Sequence, residues 1–357
     1  MTPTQAPMPS TRGPTEPGDT AWFELTLYAS GVTTATGGDP TGDAASGHLF
    51  RAGTLDAGQT VRLELPDDHA FADGPRAGLI LVGSDDGATS DVKLVDAGSG
   101  EASSVLSAAE IVSGATLSPD GAAIYYVPVH RTSMRDLGLW RLDLEEDGDP
   151  EQVIGEFAEA TYDFASQIYF SWSPDGQRFV GQYCNRGDCQ AHIVDPATNE
   201  SVLHDQPGVF ELRGATDDAY VADAFNGERS GILAVDLTTL DVRTLSGEWG
   251  ASEVHQTAQG PVVVYFVPNR APREMLLVGI WLDREASPFP VYEDRTTDTP
   301  PTQDFHPLGT GYEAPEGWLL LWPGSPGPDP DPSWEPTFML IEVLTGEERT
   351  FAHPGPG

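Results

Sequence analysis

Two segments of this chain, ATLSPDGAAIYYVPV from Ala115 and FSWSPDGQRFVGQYC from Phe170, set the same four-residue turn between two apolar runs. In Ser-Pro-Asp-Gly the proline presets φ for the first turn position, the aspartate bonds back to the backbone, and the glycine takes the left-handed φ that closes a hairpin. Each copy therefore joins a first strand to a second. A polar hairpin, a third strand ending in an acidic residue, a short turn and a fourth strand then follow.

With that template fixed, weaker copies emerge along the chain. Second strands are read at FELTLYAS (from Phe23), GLILVGS (Gly78), AIYYVPV (Ala123), RFVGQYC (Arg178), AYVADAF (Ala219), PVVVYFV (Pro261) and GWLLLWP (Gly317). Third strands keep step at HLFRAGTL (His48), DVKLVDA (Asp91), GLWRLDL (Gly138), QAHIVDP (Gln190), GILAVDL (Gly231), LLVGIWLD (Leu276) and FMLIEVL (Phe338). Fourth strands include TVRLEL, EQVIGEF, DVRTLSG and ERTFAH. Four short antiparallel strands repeating at roughly 40 to 55 residues are the signature of a β-propeller.

No stretch of ten or more residues carries helical periodicity, and 39 glycines and 31 prolines supply the many turns. The expected fold is all-β: a propeller of four-stranded antiparallel blades, seven in number, or six if the unit at 21–65 is discounted because its innermost strand has no clear sequence. Residues 1–20, rich in Pro and Thr with little to bury, are expected to form a disordered tether ahead of one propeller domain over 21–357. The Val, Leu, Ile, Trp and Tyr residues of the strands are expected to be core between blades.

The Ser-Pro-Asp-Gly turns, each followed by an apolar strand and a later LWRLDL or AHIVDP strand, resemble the TolB-like, Asp-containing relatives of the WD repeat. The units at 115–157 and 170–206 carry the match, whereas GATDDAY, QTAQGPV and GYEAPEGW fill the turn position without Ser-Pro-Asp-Gly. The resemblance implies a β-propeller and a periplasmic, protein-binding role.

Charge narrows the partners. Asp and Glu total 56 against 18 Lys and Arg, a formal charge of −38, and Lys93 is the one lysine. Nucleic acid and anionic membrane surfaces are bound mainly through Lys and Arg, so neither is an expected partner. Self-repulsion favours a monomer and would be screened by salt or divalent cations. No apolar run approaches the roughly eighteen residues that cross a bilayer. The tether lacks a basic n-region and an apolar h-region. It resembles the stretch after the lipid-bearing cysteine of bacterial surface lipoproteins, a resemblance that implies an expected site outside the cytoplasm.

The two cysteines, Cys184 and Cys189, flank the polar tip Asn185-Arg186-Gly187-Asp188. Across an antiparallel hairpin they would sit about 4.5 to 5.5 Å apart at Cα, within disulfide range. A stapled turn is the leading reading, and it implies an oxidising compartment. The pair is too few for zinc and lacks Cys-x-x-Cys redox spacing. Arg186-Gly187-Asp188 also resembles integrin-binding loops, which keeps an adhesive module as a further class.

Catalytic motifs are sparse. There is no Gly-x-Ser-x-Gly elbow, and the chain ends at FAHPGPG where a prolyl-oligopeptidase relative would continue into a hydrolase domain, so peptidase activity is not expected. SPDGQRF lacks the Thr-Trp ending of sialidase repeats, and no phosphate-cradling glycine loop is present. A lone-propeller enzyme would build its site at the channel mouth, where innermost strands begin. The polar candidates there are Glu110, Gln167, Glu211, Arg213, Glu253, His255, Asp304 and His306. In EVHQ and DFHP a carboxylate precedes a histidine by two residues, so each pair shares a strand face and could hold a metal or do acid-base work. Acidic stretches at 83–91 and 327–335 offer calcium-type oxygen ligands without the spacing of a defined calcium loop. The sequence points to a non-enzymatic binding or scaffold propeller of the cell envelope, engaging a protein or peptide through one rim. Its alternative is a lactonase or glycan lyase working at the channel mouth.

Overall fold

A computed structural model describes residues 21–26, 47–53, 57–63, 69–73, 79–83, 89–95, 102–144, 149–155, 166–185, 188–205, 210–225, 230–247, 252–267, 275–294, 306–307, 317–322 and 337–352, with strands before residue 89 described as backbone. The expected tether and the Arg186-Gly187 tip lie outside the described residues.

All described regular structure is β, in sheets whose strands pair antiparallel in chain order. A three-stranded sheet holds β1 (Ala21–Thr26), β2 (Gly47–Gly53) and β3 (Ala57–Leu63). Six four-stranded sheets follow. The first holds β4 (His69–Asp73), β5 (Leu79–Gly83), β6 (Ser90–Val95) and β7 (Ala102–Ala108). The next holds β8 (Ile111–Leu117), β9 (Ala123–Val129), β10 (Leu139–Asp143) and β11 (Glu151–Ile154). Then come β12 (Ser166–Trp172), β13 (Phe179–Asn185), β14 (Asp188–Asp195) and β15 (Glu200–Asp205). They are followed by β16 (Phe210–Ala215), β17 (Ala219–Phe225), β18 (Ser230–Asp236) and β19 (Val242–Ser246). The last two sheets are β20 (Ser252–Thr257), β21 (Gly260–Phe266), β22 (Met275–Trp281) and β23 (Phe289–Asp294), then β24 (His306–Pro307), β25 (Trp318–Trp322), β26 (Thr337–Glu342) and β27 (Glu348–Ala352).

The first strands of consecutive sheets, β4, β8, β12, β16 and β20, pack against one another. They form the inner edge from which the sheets radiate, which is the propeller arrangement. The second strands are apolar almost throughout because both of their faces are covered. Along β9, Tyr125, Val127 and Val129 join the cluster with Trp172 and Phe179 of the following sheet, while Ile124 and Tyr126 pack toward Val92 of the preceding one. A strand buried on both faces loses the polar alternation of a half-exposed one. Later junctions repeat the pattern, with Val180 and Ile193 against Leu212 and Tyr220, Val221 and Ile232 against Val263 and Ile280, and Val262 and Leu277 against Leu319 and Ile341.

Both Ser-Pro-Asp-Gly turns join a first strand to a second and have the same wiring. The Gly121 N–H donates to the Ser118 carbonyl at 2.8 Å with φ of 75°, and the Gly176 N–H donates to the Ser173 carbonyl at 2.9 Å with φ of 71°. Ser118 Oγ donates to Asp120 Oδ1 at 2.6 Å, and that carboxylate also accepts from the Ala122 N–H at 3.0 Å. Ser173, Asp175 and Gln177 repeat the set at 2.7 and 2.9 Å. The Ser118 hydroxyl, partly offset by burial, holds the Asp120 carboxyl below its ordinary 3.8. The stabilisation from this group is therefore complete above that value and is lost as pH falls through the lowered one. Thermal melts of the native chain and of Asp120→Ala should converge on acidification below about pH 4; a gap that stays constant with pH would contradict the role given to the carboxylate.

Candidate functional site

At the face where first strands begin, second strands end and third strands start, since Ser166 at the start of β12 pairs with Asn185 at the end of β13. Cys184 lies directly opposite Cys189, and the two form a disulfide with Cα atoms 4.1 Å apart. Both sulfur-bearing side chains are buried against Leu212, Tyr220 and Ala224 of the next sheet. The bond thus roots the hairpin in the junction between two sheets as well as closing its tip. Replacing both cysteines by serine is expected to lower stability by about 2 kcal/mol, read from the urea midpoint. An unchanged midpoint would show that the hairpin holds its own ends.

Next to this hairpin, at the inner edge, the chain builds a polar network across three sheets. In β16 the pairing with β17 shifts between Leu212 and Gly214, leaving Arg213 as the extra residue of a bulge. A bulge re-aims its side chain, and Arg213 binds two carboxylates, Asp223 Oδ2 through Nε at 2.7 Å and Glu211 Oε2 through Nη2 at 2.7 Å. Ser252 Oγ of β20 donates to Asp223 Oδ1 at 2.8 Å, and Tyr169 OH of β12 lies 3.5 Å from Glu211 Oε1. Burial and the Glu211 carboxylate push the Tyr169 hydroxyl up to about 12, so it stays protonated and donates. Burial also raises the Asp223 carboxyl, against the pull of Arg213 and Ser252. The Leu212 N–H of the same bulge donates to Gln182 Oε1 at 2.7 Å.

The bulge has a sequence partner. Ser113-Gly114-Ala115-Thr116 and Arg213-Gly214-Ala215-Thr216 occupy equivalent places, and the β8 pairing shifts at the same point, between Val112 and Gly114. The glycine is needed because the neighbouring inner strand crosses it closely: a Cβ on Gly214 would lie 2.8 Å from Val254 Cβ, and one on Gly114 would lie 3.0 Å from Ile168 Cγ2.

Of the eight sequence candidates, the five whose side chains are described, Glu110, Glu211, Arg213, Glu253 and His255, are not drawn into one constellation. Glu211 and Arg213 form the ion pair just described. Glu253 and His255 share a face of β20, with His255 Nε2 3.5 Å from Glu253 Oε2. His255 is 7% exposed, and its Nε2 makes no hydrogen bond. Its cross-strand partner Val262 packs with Leu319 and Ile341, so this pair faces the last sheet while neighbouring Ser252 faces the preceding one. Glu110 is a half-buried residue just before β8. Gln167 is opposite Cys184 in the β12 backbone, and His306 is opposite Trp322 in the β24 backbone. Asp304 lies outside the described residues, as do 84–88 and the whole of 327–335 among the calcium candidates. No group of three or more His, Cys, Asp or Glu side chains able to hold a metal occurs among the described residues.

Sequence reasoning missed Asp223, Tyr169, Gln182 and Ser252. Asp223 sits inside AYVADAF, which reads as core, and the available clue was the paired Ser-Gly-Ala-Thr and Arg-Gly-Ala-Thr stretches. Chemically the network is a self-satisfied polar spoke, with two donors of the Arg213 fork already committed to carboxylates.

No family model matches this chain, and no curated protein sequence does. Solved structures do. It is similar to a prolyl endopeptidase at TM-score 0.59 and 14% identity, over 87% of this chain and 46% of that one. It is also similar to an oligogalacturonate lyase in complex with manganese, at TM-score 0.53 and 13% identity over 93% of this chain and 86% of that one. Oligopeptidase B from Leishmania major is matched at TM-score 0.58 and 10% identity, over 88% of this chain and 47% of that one. The chain thus spans about half the length of these two peptidases. TolB from Acinetobacter baumannii is among the neighbours, at TM-score 0.43, too distant to carry weight. Likeness at these identities shows the fold, a β-propeller, and leaves the activity open.

Proposed function

We propose that this chain is a non-enzymatic binding propeller of the bacterial cell envelope, holding a protein or peptide partner through the rim where the first strands begin. The observation that carries this reading is the covalently closed β13–β14 hairpin, whose Cys184–Cys189 bond is buried in a sheet junction and whose Asn185 pairs with Ser166 at that rim. A preorganised hairpin loses little freedom when a partner settles on it. The disulfide also fits an oxidising, extracytoplasmic setting. Beside it, the charges of Glu211, Arg213 and Asp223 are spent on one another, which suits a structural axis better than a reactive one.

The test is affinity capture from an envelope extract of the source organism, at low and high salt, with the disulfide intact. One stoichiometric protein retained at both salts, and lost from the Cys184→Ser, Cys189→Ser variant, is the expected result. An empty column would overturn the reading.

One observation favours a second reading, a lone-propeller enzyme acting on an acidic glycan: the buried His255 Nε2 without a hydrogen bond, next to the Glu253 carboxylate. The full-length likeness to an oligogalacturonate lyase lends it a fold-level analogy. His255→Ala and His306→Ala would abolish such an activity and leave capture at the rim intact.

A further inference from the structure

The outer strands of the blades differ in one respect that bears on association. In β7, β11, β19 and β23 the pairing with the third strand shifts register, and the extra residues are Val105, Val153, Leu245 and Val291. Each of the four packs into a core cluster. Such a bulge turns an apolar side chain inward and bends the free edge, which blunts it as a template for another strand.

β15, like β3 and β27, has no such bulge. Its six residues pair with β14 without a break, from Gln190 opposite Asp205 to Asp195 opposite Glu200. Its apolar pair stays outside: Val202 is 53% exposed and Leu203 47% exposed, and these are the exposed large hydrophobics among the described residues. The strand is also held firmly, because His204 is buried and its Nδ1 lies 2.5 Å from Tyr220 OH of the next sheet. No described strand pairs with its outer edge. The result is an unbulged, anchored edge with two exposed apolar residues in a stretch that begins at Glu200 and ends at Asp205.

We propose that the outer edge of β15 is a strand-addition site for an extended partner segment with an apolar centre and basic flanks. Main-chain hydrogen bonds would extend the sheet, Val202 on one face and Leu203 on the other would each meet an apolar residue of the segment, and the exposed Glu200, at one end of an edge whose other end is also acidic in sequence, would select arginine or lysine. A second copy of this chain fits badly. Antiparallel self-pairing of β15 sets Glu200 of one copy against Asp205 of the other, and like charges directly opposite are destabilising. Two bodies of formal charge −38 also repel. The site is separate from the hairpin tip of the rim, and its test uses neither extract nor disulfide variant, so either reading can fail alone.

The probe is a synthetic, labelled peptide of about eight residues, with consecutive Val and Ile at its centre, Thr on either side and terminal arginines, titrated against the full chain by fluorescence anisotropy at low salt. Saturable binding is expected. It should weaken roughly tenfold with Val202→Lys plus Leu203→Lys, with glutamate in place of the terminal arginines, and with backbone N-methylation along one peptide edge. Because both side chains are exposed, the double lysine variant should melt near the native temperature. Should it melt early, Val202→Thr with Leu203→Thr serves for the same comparison. No binding by the native chain, equal binding by the variants, or indifference to N-methylation would each overturn the proposal. So would dimerisation of the native chain abolished by the same substitutions, since it would assign the edge to self-association.

Discussion

Asp223→Ala is expected to lower the stability of the propeller by about 3 kcal/mol, at the lower end of what removing one partner of a buried ion pair costs. The carboxylate is 5% exposed and holds both Arg213 and Ser252, so its loss leaves a half-buried guanidinium with Glu211 alone and an unpaired serine hydroxyl. Ser252→Ala removes one neutral donor and should cost about 1 kcal/mol. The two effects share a partner, so a double-mutant cycle should return a clear coupling, whereas additive losses would mean the network does not act as a unit. The pH dependence has the opposite sign to that of Asp120. Burial raises the Asp223 carboxyl above 3.8, so its contribution is fully present below that value and declines as pH rises through the raised one.

A comparably large loss is expected from Gly138→Ala at the start of the third strand. Gly138 has φ of 90°, and an added Cβ would lie 1.9 Å from the Ile154 carbonyl oxygen. Left-handed strain and overpacking against backbone together should cost on the order of 3 kcal/mol or more. Gly231 stands in the same relation to the Ser246 carbonyl, at 2.0 Å. Ile154 and Ser246 each sit beside the outer-strand bulge of their sheet. The glycine and the bulge are therefore two halves of one local solution. Gly138→Ala melting like the native chain would refute this.

The parts of the fold that could be read from residues are those where local chemistry and burial agree. Second strands such as AIYYVPV stood out because both faces are covered, and β9 spans that stretch. The innermost strand of the unit at 21–65 has no clear sequence, and among the described residues the sheet there has three strands, β1 to β3. Two of the departures from Ser-Pro-Asp-Gly, GATDDAY and QTAQGPV, are explained by threonine, and most of the third, GYEAPEGW, lies outside the described residues. Thr216 Oγ1 accepts from the Ala219 N–H at 3.0 Å, and Thr257 Oγ1 donates to the Gly260 carbonyl at 2.7 Å, closing shorter turns with one hydroxyl in the serine's role. The axial network was hidden because its members lie on β12, β16, β17 and β20. Only the bulge at Arg213 and the contact between neighbouring sheets bring them together. The cysteine pair was legible, but its burial in a sheet junction depends on residues about 30 positions away, which pairing within a hairpin cannot reveal.

The central claim is that the rim at the start of the first strands holds a partner, and amide hydrogen exchange tests it most directly. With the captured partner bound, the account predicts added protection in the 181–190 hairpin and at the starts of β12 and β16, with the opposite face unchanged. Protection confined to the Ser-Pro-Asp-Gly turns on the opposite face, or no change anywhere, would contradict it.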